Sequence, residues 1–501
     1  MIRIPEGPVV VADAPWFALP TPTSVRDVAL HEVEVRPLPA ERLEAFIGRD
    51  RSAAFTSLAG QARALLDGRA VLNVNSTATG GGVAELLETL LSYARGAGVD
   101  ARWLVIKGDH RFFQITKRIH NCLYGTPGDG GPLGDSERRD YEDTMARHAD
   151  DLSALVRAGD IVVLHDPQTA GLVPAVRRSG GRVIWRSHVG VDVPNEHSDL
   201  AWRFLRPYVE DVDGYVFSCA RFAPPWVPGD RLTVIPPSID PFSAKNVPIE
   251  PEVVVRTLQR VGALVDRGTV TGSEYTRRDG TRSHVERPVD LVGTGPPPPP
   301  DAPIVLQASR WDALKDFPGV ITGFADRLVD AGDAHLLLAG PEPKGVADDP
   351  EAIGVLAECR ALWSSLPVRA REKVHLVCVP TADPDEHATI VNALQRHTKV
   401  VVQKSLAEGF GLTVAEAMWK ARPVVGSAVG GIIDQIVSGD TGWLLQDPYD
   451  LDQYAKAVGG LLADRPNAAR MGAMGAQRAR THFLADRHLA QWTELFGRLA
   501  A

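Results

Sequence analysis

The sequence is poor in cysteine and has no long apolar run. Four cysteines occur in 501 residues, and no two of them form a Cys-x-x-Cys pair. Isolated cysteines of this kind are typical of reduced, buried thiols in a cytoplasmic protein. No apolar run approaches the length of about 18 residues that a membrane span requires, and the N-terminus lacks a basic region followed by an apolar core. We therefore expect a cytoplasmic protein with neither a membrane span nor a signal peptide.

An excess of positive charge is also missing. The chain has 54 Lys and Arg residues against 63 Asp and Glu residues, which gives a net charge of −9. This balance argues against non-specific binding to nucleic acid or to an anionic membrane. Apolar residues make up 44% of the chain and charged residues 23%, as in ordinary globular proteins, and the length suffices for two or three domains. The expected partners are therefore small molecules, and the sequence does not decide whether the protein forms a homodimer.

The first glycine loop lacks the Gly-x-Gly-x-x-Gly fingerprint of dinucleotide-binding domains. A strand predicted over residues 69–75 runs instead into three consecutive glycines, Gly80, Gly81 and Gly82, and an amphipathic helix follows. Consecutive glycines let the backbone approach a ligand and direct N–H groups at an anion, although glycine turns before helices also occur in plain α/β units. Strand, loop and helix together predict a nucleotide-type α/β domain without a nicotinamide cofactor.

A second strand, loop and helix lie within residues 399–435. Residues 400–402 form a short β-branched run that is typical of a buried parallel strand. Gly409 and Gly411 bracket a tight loop, and residues 412–420 then have helical spacing. This stretch predicts an α/β unit whose loop lies at the carboxyl end of a strand.

Two acids flank that loop. Glu408 precedes it, and Glu416 lies in the helix with seven residues between the two. Loop and helix separate them by roughly 10–15 Å if a helical residue rises 1.5 Å, which matches the distance between a sugar ring and a ribose across a diphosphate. The N–H groups at the helix N-terminus would suit that diphosphate. The alternative is an ordinary α/β unit with two solvated acids.

Two cations follow another predicted strand, at residues 304–308. Arg310 and Lys315 come directly after it, and the carboxyl ends of parallel strands line the ligand crevice of a doubly wound sheet. Arginine offers phosphate oxygens a planar fork, and lysine offers a point charge. Asp312 and Asp316 are placed to orient these cations. The alternative is a surface loop of salt bridges.

Polar side chains end two further predicted strands. Residues 160–164 are followed by Asp166 and Gln168, and residues 182–185 are followed by His188. A lone histidine is more often structural than catalytic, but a histidine at a strand end points into the ligand crevice. His188 is therefore a candidate site residue.

These motifs resemble the retaining GT-B glycosyltransferases of family 4. The Arg-x4-Lys and Glu-x7-Glu pairs specify that family. The runs Asn-Ser-Thr-x-x-Gly-Gly-Gly-Val-Ala-Glu, His-Asp-Pro-Gln and Gln-Lys-Ser are similar to its trehalose glycosyltransferring synthase branch. The resemblance covers residues 40–265 and 303–500. It implies the GT-B fold, two doubly wound Rossmann-like α/β domains facing a central cleft. It also implies transfer of glucose from ADP-, UDP- or GDP-glucose to free glucose, with no further cofactor. Arg310, Lys315 and the helix N-terminus after Gly409 would stabilise the leaving diphosphate, so we expect no obligate metal.

The resemblance also implies roles for individual residues. Catalysis is assigned to Arg310, Lys315, Glu408 and His188. Contacts to the nucleotide sugar are assigned to Gly80, Gly81, Gly82, Gly409, Phe410, Gly411, Leu412, Thr413, Glu416 and Asn392. Contacts to the acceptor are assigned to Asp166, Gln168 and Lys107. Because no carboxylate is obviously placed as a nucleophile on the far face of the sugar, front-face substitution with retention is favoured, and no residue is assigned to a metal.

The predicted domain limits follow the same resemblance. They are an N-terminal arm at 1–40, an acceptor-side domain at 41–245, an interdomain segment at 246–303, a nucleotide-sugar domain at 304–475 and a crossing helix at 476–501. Within the interdomain segment, residues 268–300 are polar and end in five consecutive prolines. A proline run of this length cannot join a sheet or helix, so we predict an inserted, mobile loop there.

Three other functions stay open. A trehalose phosphorylase would use the same cleft with inorganic phosphate. A non-catalytic sugar-nucleotide sensor would use the two hinged domains for binding alone, although the presence of both cations and both acids argues against lost catalysis. A nucleotide-sugar 2-epimerase of the same fold is the third.

Overall fold

Two α/β domains, each built on a seven-stranded sheet, make up the body of the protein. The computed structural model describes residues 30–78, 81–266, 268, 272–292, 295–343 and 351–500. In both sheets the central strands are parallel and consist mainly of buried apolar residues, as the short β-branched runs predicted. None of the described helices has both the length and the apolar character needed to cross a membrane.

The N-terminal sheet carries helices on both faces. Its strands are β1 (Leu30–Val33), β2 (Ala70–Asn75), β3 (Asp100–Ile106), β4 (Ile161–His165), β5 (Arg182–Ser187), β6 (Gly214–Phe217) and β7 (Leu232–Val234). Their order is β1-β3-β2-β4-β5-β6-β7, and β1 is an antiparallel edge strand. The helices are α1 (Glu44–Ile47), α2 (Arg49–Leu65), α3 (Gly82–Gly96), α4 (His110–Leu123), α5 (Asp135–Leu155), α6 (Asp166–Thr169), α7 (Val173–Arg178) and α8 (Glu196–Val209).

The described residues of the segment between the domains form packed elements, in contrast to the mobile loop predicted over 268–300, of which residues 269–271, 293 and 294 lie outside the described residues. After α9 (Pro251–Arg260), the strands β8 (Glu274–Thr276) and β9 (Arg282–His284) form an antiparallel hairpin. Tyr275, Val285 and Val289 are buried in one apolar cluster with residues of the C-terminal sheet. The sequence did not reveal the hairpin because a strand of three residues is too short to show an alternating pattern. The apolar residues against which it packs also lie elsewhere in the chain.

The C-terminal sheet has the same architecture. Its strands are β10 (Asp290–Leu291), β11 (Ile304–Ala308), β12 (His335–Pro341), β13 (Val374–Val379), β14 (Val400–Gln403), β15 (Val424–Ser427) and β16 (Trp443–Leu445). Their order is β10-β13-β12-β11-β14-β15-β16, with β10 antiparallel at one edge. The helices are α10 (Phe317–Arg327), α11 (Glu351–Ser365), α12 (Val368–Arg371), α13 (Pro384–His397), α14 (Leu412–Trp419), α15 (Gly430–Gln435) and α16 (Leu451–Ala463).

The last helix returns to the N-terminal domain. The helix α17 (Arg465–His482) packs against α14, and α18 (Ala485–Ala500) packs against α2 and α3. Trp492 and Phe496 of α18 join an apolar cluster with Val163 of the N-terminal sheet. The resemblance implied a crossing helix at 476–501, and in the structure the helix that packs on the N-terminal domain is α18, which begins at Ala485. Residue 476 lies inside a continuous helix that still belongs to the C-terminal domain.

Candidate active site

The predicted phosphate cations lie at the carboxyl end of β11 and face the N-terminal domain. Arg310 reaches the neighbourhood of His120, which lies in α4 of that domain. Burial lowers the pKa of His120 to about 3, and the positive charges of Lys117 and Arg310 add to this effect. The cation of one domain is therefore close to a basic helix of the other, so Arg310 lies at the cleft between them.

Lys315 and Glu408 form an ion pair, although 93 residues separate them in the chain. The lysine Nζ donates to Glu408 Oε2 at 2.7 Å, and the two side chains are 13% and 10% exposed. Ser405 Oγ donates to the same carboxylate oxygen at 3.2 Å, and Gln403 Nε2 lies 3.4 Å from it. The structure thus brings together the residue predicted to hold phosphate and the residue predicted to hold the sugar.

Of the two aspartates predicted to orient the cations, one does so and the other does not. Asp312 lies 3.2 Å from Arg310 Nη2. Burial alone would raise the pKa of Asp312, but the charges of Lys315, Arg310 and Lys117 lower it overall. Asp316 instead pairs with the buried Lys404, which follows β14. The sequence pattern could not distinguish these partners, because Lys404 comes from a different strand.

Backbone geometry explains the glycines of the loop before α14. Gly411 is the N-cap of α14 and has a φ of +86°, a left-handed conformation that favours glycine. A Cβ at Gly409 would lie 2.5 Å from the carbonyl oxygen of His188, so only glycine allows this approach between the domains. Phe410 turns its side chain into the core beside Phe483, at a ring-centroid distance of 5.6 Å. Only the backbone of Phe410 is therefore available to a ligand.

The start of α14 also contacts the first glycine loop. A Cβ at Gly82 would lie 2.9 Å from Leu412 Cδ1, so these two residues, both predicted to bind the nucleotide sugar, meet across the cleft. Gly81 precedes α3 as its N-cap with a φ of +80°. Thr413 donates its hydroxyl hydrogen to Gln403 Oε1 at 3.0 Å. Gly80 lies outside the described residues.

Glu416 is buried, whereas the predicted contact with a ribose suggested an accessible side chain. Burial raises its pKa while the positive charges of Lys245 and Lys420 oppose the rise. Lys245 bonds Glu85 of α3 at 2.6 Å, and therefore links the N-terminal domain to this group. Lys420 is buried as well and donates to Gln395 Oε1 at 2.6 Å. Glu416 thus lies within a charged network at the domain boundary.

Asn392 is not brought into the cleft. It is fully buried in α13, where its amide donates to the carbonyl oxygens of Ala244 and Val247 at 2.9 Å each. Its own oxygen accepts from Arg396 Nε at 2.9 Å. These bonds fasten the segment between the domains. The predicted role in nucleotide-sugar binding came from the resemblance, and the structure gives this side chain a structural role instead.

On the N-terminal side, His188 belongs to a chain of buried polar groups. Its Nε2 lies 3.1 Å from Nδ1 of His165, whose Nε2 lies 3.1 Å from Oδ1 of Asn73. With His165 donating to Asn73, Nδ1 of His165 accepts from His188, which leaves Nδ1 of His188 as a hydrogen-bond acceptor. Burial holds the pKa of both histidines well below 6.5. His188 is therefore neutral near pH 7.

Asp166 lies beside His188 in an unusual conformation. Its φ is +61°, which is rare for a residue with a side chain and occurs often at functional sites. One carboxylate oxygen accepts the backbone N–H of His188 at 2.8 Å. Burial raises the pKa of Asp166 to about 7, although that hydrogen bond and Arg186 counteract part of the rise. This carboxyl group changes its charge close to neutral pH.

The other two residues predicted to bind the acceptor sugar are Gln168 and Lys107. Gln168 is half-buried in α6, and Lys107 is exposed just after β3, where its backbone N–H donates to His148. Sequence reasoning missed Tyr124, whose hydroxyl lies 3.0 Å from the position of a Cβ on Gly409. No motif marks Tyr124, because its importance comes only from the opposing domain.

Ion pairs also join the domains beside the loop. Arg221 pairs with Asp192 in its own domain at 3.0 Å and with Asp434 in α15 at 3.2 Å. Asp192 in turn accepts the backbone N–H of Gly430 at 2.7 Å. The structure therefore shows the two domains in contact at the end of the cleft where His188 meets Gly409.

Comparisons with known proteins agree with this architecture. Residues 73–224 match the family model for the N-terminal domain of trehalose synthase, and residues 296–478 match that for glycosyl transferases group 1. A trehalose synthase from Pyrococcus horikoshii is 33% identical over 87% of this chain and 91% of its own. One from Rubrobacter xylanophilus is 35% identical over 90% of this chain and 95% of its own. The structure of sucrose-phosphate synthase from Thermosynechococcus elongatus superposes with a TM-score of 0.60 at 16% identity, covering 86% of this chain and 99% of that one.

Proposed function

Because the chain belongs to the trehalose synthase family of GT-B glycosyltransferases, we propose that it transfers glucose from a nucleoside diphosphate glucose to free glucose. The product would be α,α-trehalose, formed with retention at the anomeric carbon as in glycosyltransferase family 4. The observation that carries this proposal is the Lys315–Glu408 pair at 2.7 Å, on the wall of the cleft opposite Asp166 and His188.

Charge development explains why such a pair is useful. Breaking the bond between sugar and phosphate builds negative charge on the leaving diphosphate and positive charge at the anomeric carbon. Arg310, Lys315 and the N–H groups at the start of α14 would stabilise the diphosphate. Glu408 would bind hydroxyls of the transferred glucose from the adjacent position. Glu416 would bind the ribose hydroxyls further along α14.

The hydrogen bonds of Glu408 favour front-face substitution. One oxygen of its carboxylate, Oε2, is engaged by Lys315, Ser405 and Gln403, and a carboxylate that is paired with an ammonium group is a weaker nucleophile toward the anomeric carbon. We infer that the acceptor hydroxyl approaches from the side of the leaving diphosphate and passes its proton to a phosphate oxygen. This arrangement would retain the configuration of the sugar.

A product assay tests the proposal. The purified protein is incubated with ADP-, UDP- or GDP-glucose, with and without glucose, and chromatography follows trehalose and the free nucleoside diphosphate. Release of both products in a glucose-dependent reaction is expected with at least one donor. Trehalose cleavage that requires inorganic phosphate, in place of transfer, would indicate a phosphorylase. Binding of nucleotide sugar without release of diphosphate to any acceptor would indicate a sensor.

Acceptor use is expected to depend on pH through Asp166. An ionised carboxylate accepts hydrogen bonds from sugar hydroxyls, and the ionised fraction rises as pH climbs through the pKa of about 7. The kcat/KM for glucose should therefore fall by about tenfold per pH unit below 7 and level off above it. Measurements from about pH 5.5 to 8.5 test this dependence, with circular dichroism as a check on folding. Asp166→Asn should abolish the acid limb, and an unchanged profile in that variant would contradict the assignment.

Transfer is also expected to survive the removal of metal ions. The physical reason is the supply of positive charge by Arg310, Lys315 and the start of α14 around the expected diphosphate. Rates are measured in EDTA and after addition of magnesium. Complete loss of activity that magnesium restores would refute the metal-independent mechanism, whereas modest stimulation would be compatible with metal binding to the free nucleotide sugar.

A further inference from the structure

Tyr124 reaches across the cleft from the N-terminal domain. It is the C-cap of α4, and its ring packs edge-on against His120 at a centroid distance of 5.0 Å. Its hydroxyl oxygen lies 3.0 Å from the position that a Cβ on Gly409 would occupy. Gly409 directly follows Glu408, so the hydroxyl stands at the loop that carries the proposed sugar-binding acid.

This hydroxyl has no hydrogen-bond partner within the part of the chain that the structure describes. Two buried tyrosine hydroxyls of the same domain are paired, since Tyr141 donates to the carbonyl of Pro167 at 2.8 Å and Tyr215 to that of Val209 at 2.7 Å, whereas the hydroxyl of Tyr93 is buried without a partner among the described residues. The Tyr124 side chain is half-buried, and its hydroxyl is not sealed in the core. A hydroxyl in such a place is available to a ligand in the cleft.

The charges around the hydroxyl come from both walls of the cleft. Burial raises the pKa of Tyr124 well above its usual range, the nearby carboxylates of Glu408, Asp312 and Asp166 raise it further, and Arg310 opposes them. The phenol is therefore neutral at any physiological pH and keeps its hydrogen. It can donate a hydrogen bond to a sugar oxygen and also accept one from a sugar hydroxyl.

We propose that Tyr124 is a specificity-determining residue that hydrogen-bonds one hydroxyl of the acceptor hexose. The acceptor is favoured over the transferred sugar because Tyr124 lies on the same wall as Asp166, opposite the pair of Lys315 and Glu408. This proposal rests on the proposed function, since it assigns a residue to the acceptor side of that reaction.

Tyr124→Phe tests the proposal, because phenylalanine keeps the ring contact with His120 and removes only the hydroxyl. The KM for glucose is expected to rise about tenfold, the loss of one hydrogen bond. Affinity for the nucleoside diphosphate, measured by calorimetry, should not change. Hydrolysis of the nucleotide sugar in the absence of acceptor should also persist. Tyr208→Phe is the matched control, because its hydroxyl bonds Glu142 at 2.7 Å on the exposed side of α5 and α8.

Deoxy sugars identify the hydroxyl and separate binding from a structural effect. The 2-, 3-, 4- and 6-deoxy analogues of glucose are compared as acceptors for the wild type and for Tyr124→Phe. One analogue should lose about tenfold in kcat/KM with the wild type and almost nothing further with the variant. Equal losses for every analogue in both proteins, together with an unchanged KM for glucose, would overturn the proposal.

The outcome can be distinguished from failure of the proposed function. If the wild type released no diphosphate with any donor, the transfer reaction itself would be refuted. Glucose binding in the presence of the nucleoside diphosphate can then be measured by saturation-transfer NMR. Loss of that binding in Tyr124→Phe but not in Tyr208→Phe would support the sugar contact, and equal binding by all three proteins would overturn it.

Discussion

Lys315→Met is expected to lower turnover by about 10²–10³-fold, the loss typical of one electrostatic stabiliser of a transition state. The substitution removes the charge that would face the leaving diphosphate while it keeps most of the side chain. It also leaves Glu408 without its ion-pair partner at 2.7 Å, in a position where the carboxylate is 10% exposed. Arg310→Ala is expected to show a loss of the same order. The measurement is steady-state transfer from nucleotide glucose to glucose.

Glu408→Gln provides the companion variant. Contacts to the sugar should strengthen as its ring flattens toward an oxocarbenium ion, so turnover is expected to fall more than the affinity for nucleoside diphosphate. Because Lys315 and Glu408 bond each other, the double variant should lose much less than the product of the two single losses. Lys456→Met, on an exposed face of α16, is the control. Near-normal turnover in both the Lys315 and the Arg310 variants would remove these cations from the active site.

Replacement of residues 273–289 by a short Gly/Ser linker is expected to lower the thermal midpoint of the C-terminal domain. The hairpin buries Tyr275, Val285 and Val289 against the sheet. Full burial of an apolar side chain contributes about 1.5–3 kcal/mol. Since 1 kcal/mol shifts the midpoint of a domain of 150–250 residues by about 2–4 °C, a decrease of about 10 °C is expected in differential scanning calorimetry.

Ion pairs add to the packing of the hairpin. Arg277 pairs with Asp383 and Arg287 with Glu386, so the hairpin holds the first turn of α13. Arg282→Gln is a suitable control, because that side chain is 84% exposed on the same hairpin. The control should melt within about 1 °C of the wild type, as expected for a surface substitution. A hairpin deletion that also melts like the wild type would show that the segment packs without stabilising the domain.

Arg278 connects the hairpin to both domains. Its Nη1 bonds Glu88 of α3 at 2.7 Å, and its Nε bonds Asp385 of α13 at 2.8 Å. The segment therefore touches both domains at the end of the cleft where Glu416 lies. Its polar composition indicated a loop, but composition could not indicate which carboxylates its arginines would meet.

Local patterns predicted most of the architecture. The strands β2, β4, β11 and β14 begin within one residue of their predicted starts, because a short β-branched run and its following turn are properties of neighbouring residues. The predicted start of the crossing helix, residue 476, falls inside α17 for a related reason. The crossing lies at a break between two helices, and a continuous helical pattern on both sides conceals it.

The sequence by itself determined the fold class and the positions of the glycine loops, because strand and helix periods and left-handed turns depend on residues near each other in the chain. It also placed Lys315, Glu408, Asp166 and His188 at strand ends, where a doubly wound sheet forms its crevice. Only the tertiary structure decided that Lys315 pairs with Glu408, that Asp316 pairs with Lys404 instead, and that Asn392 fastens the interdomain segment. These outcomes depend on distances between side chains far apart in the chain, and a hydrogen bond is decided by tenths of an ångström that no sequence pattern specifies.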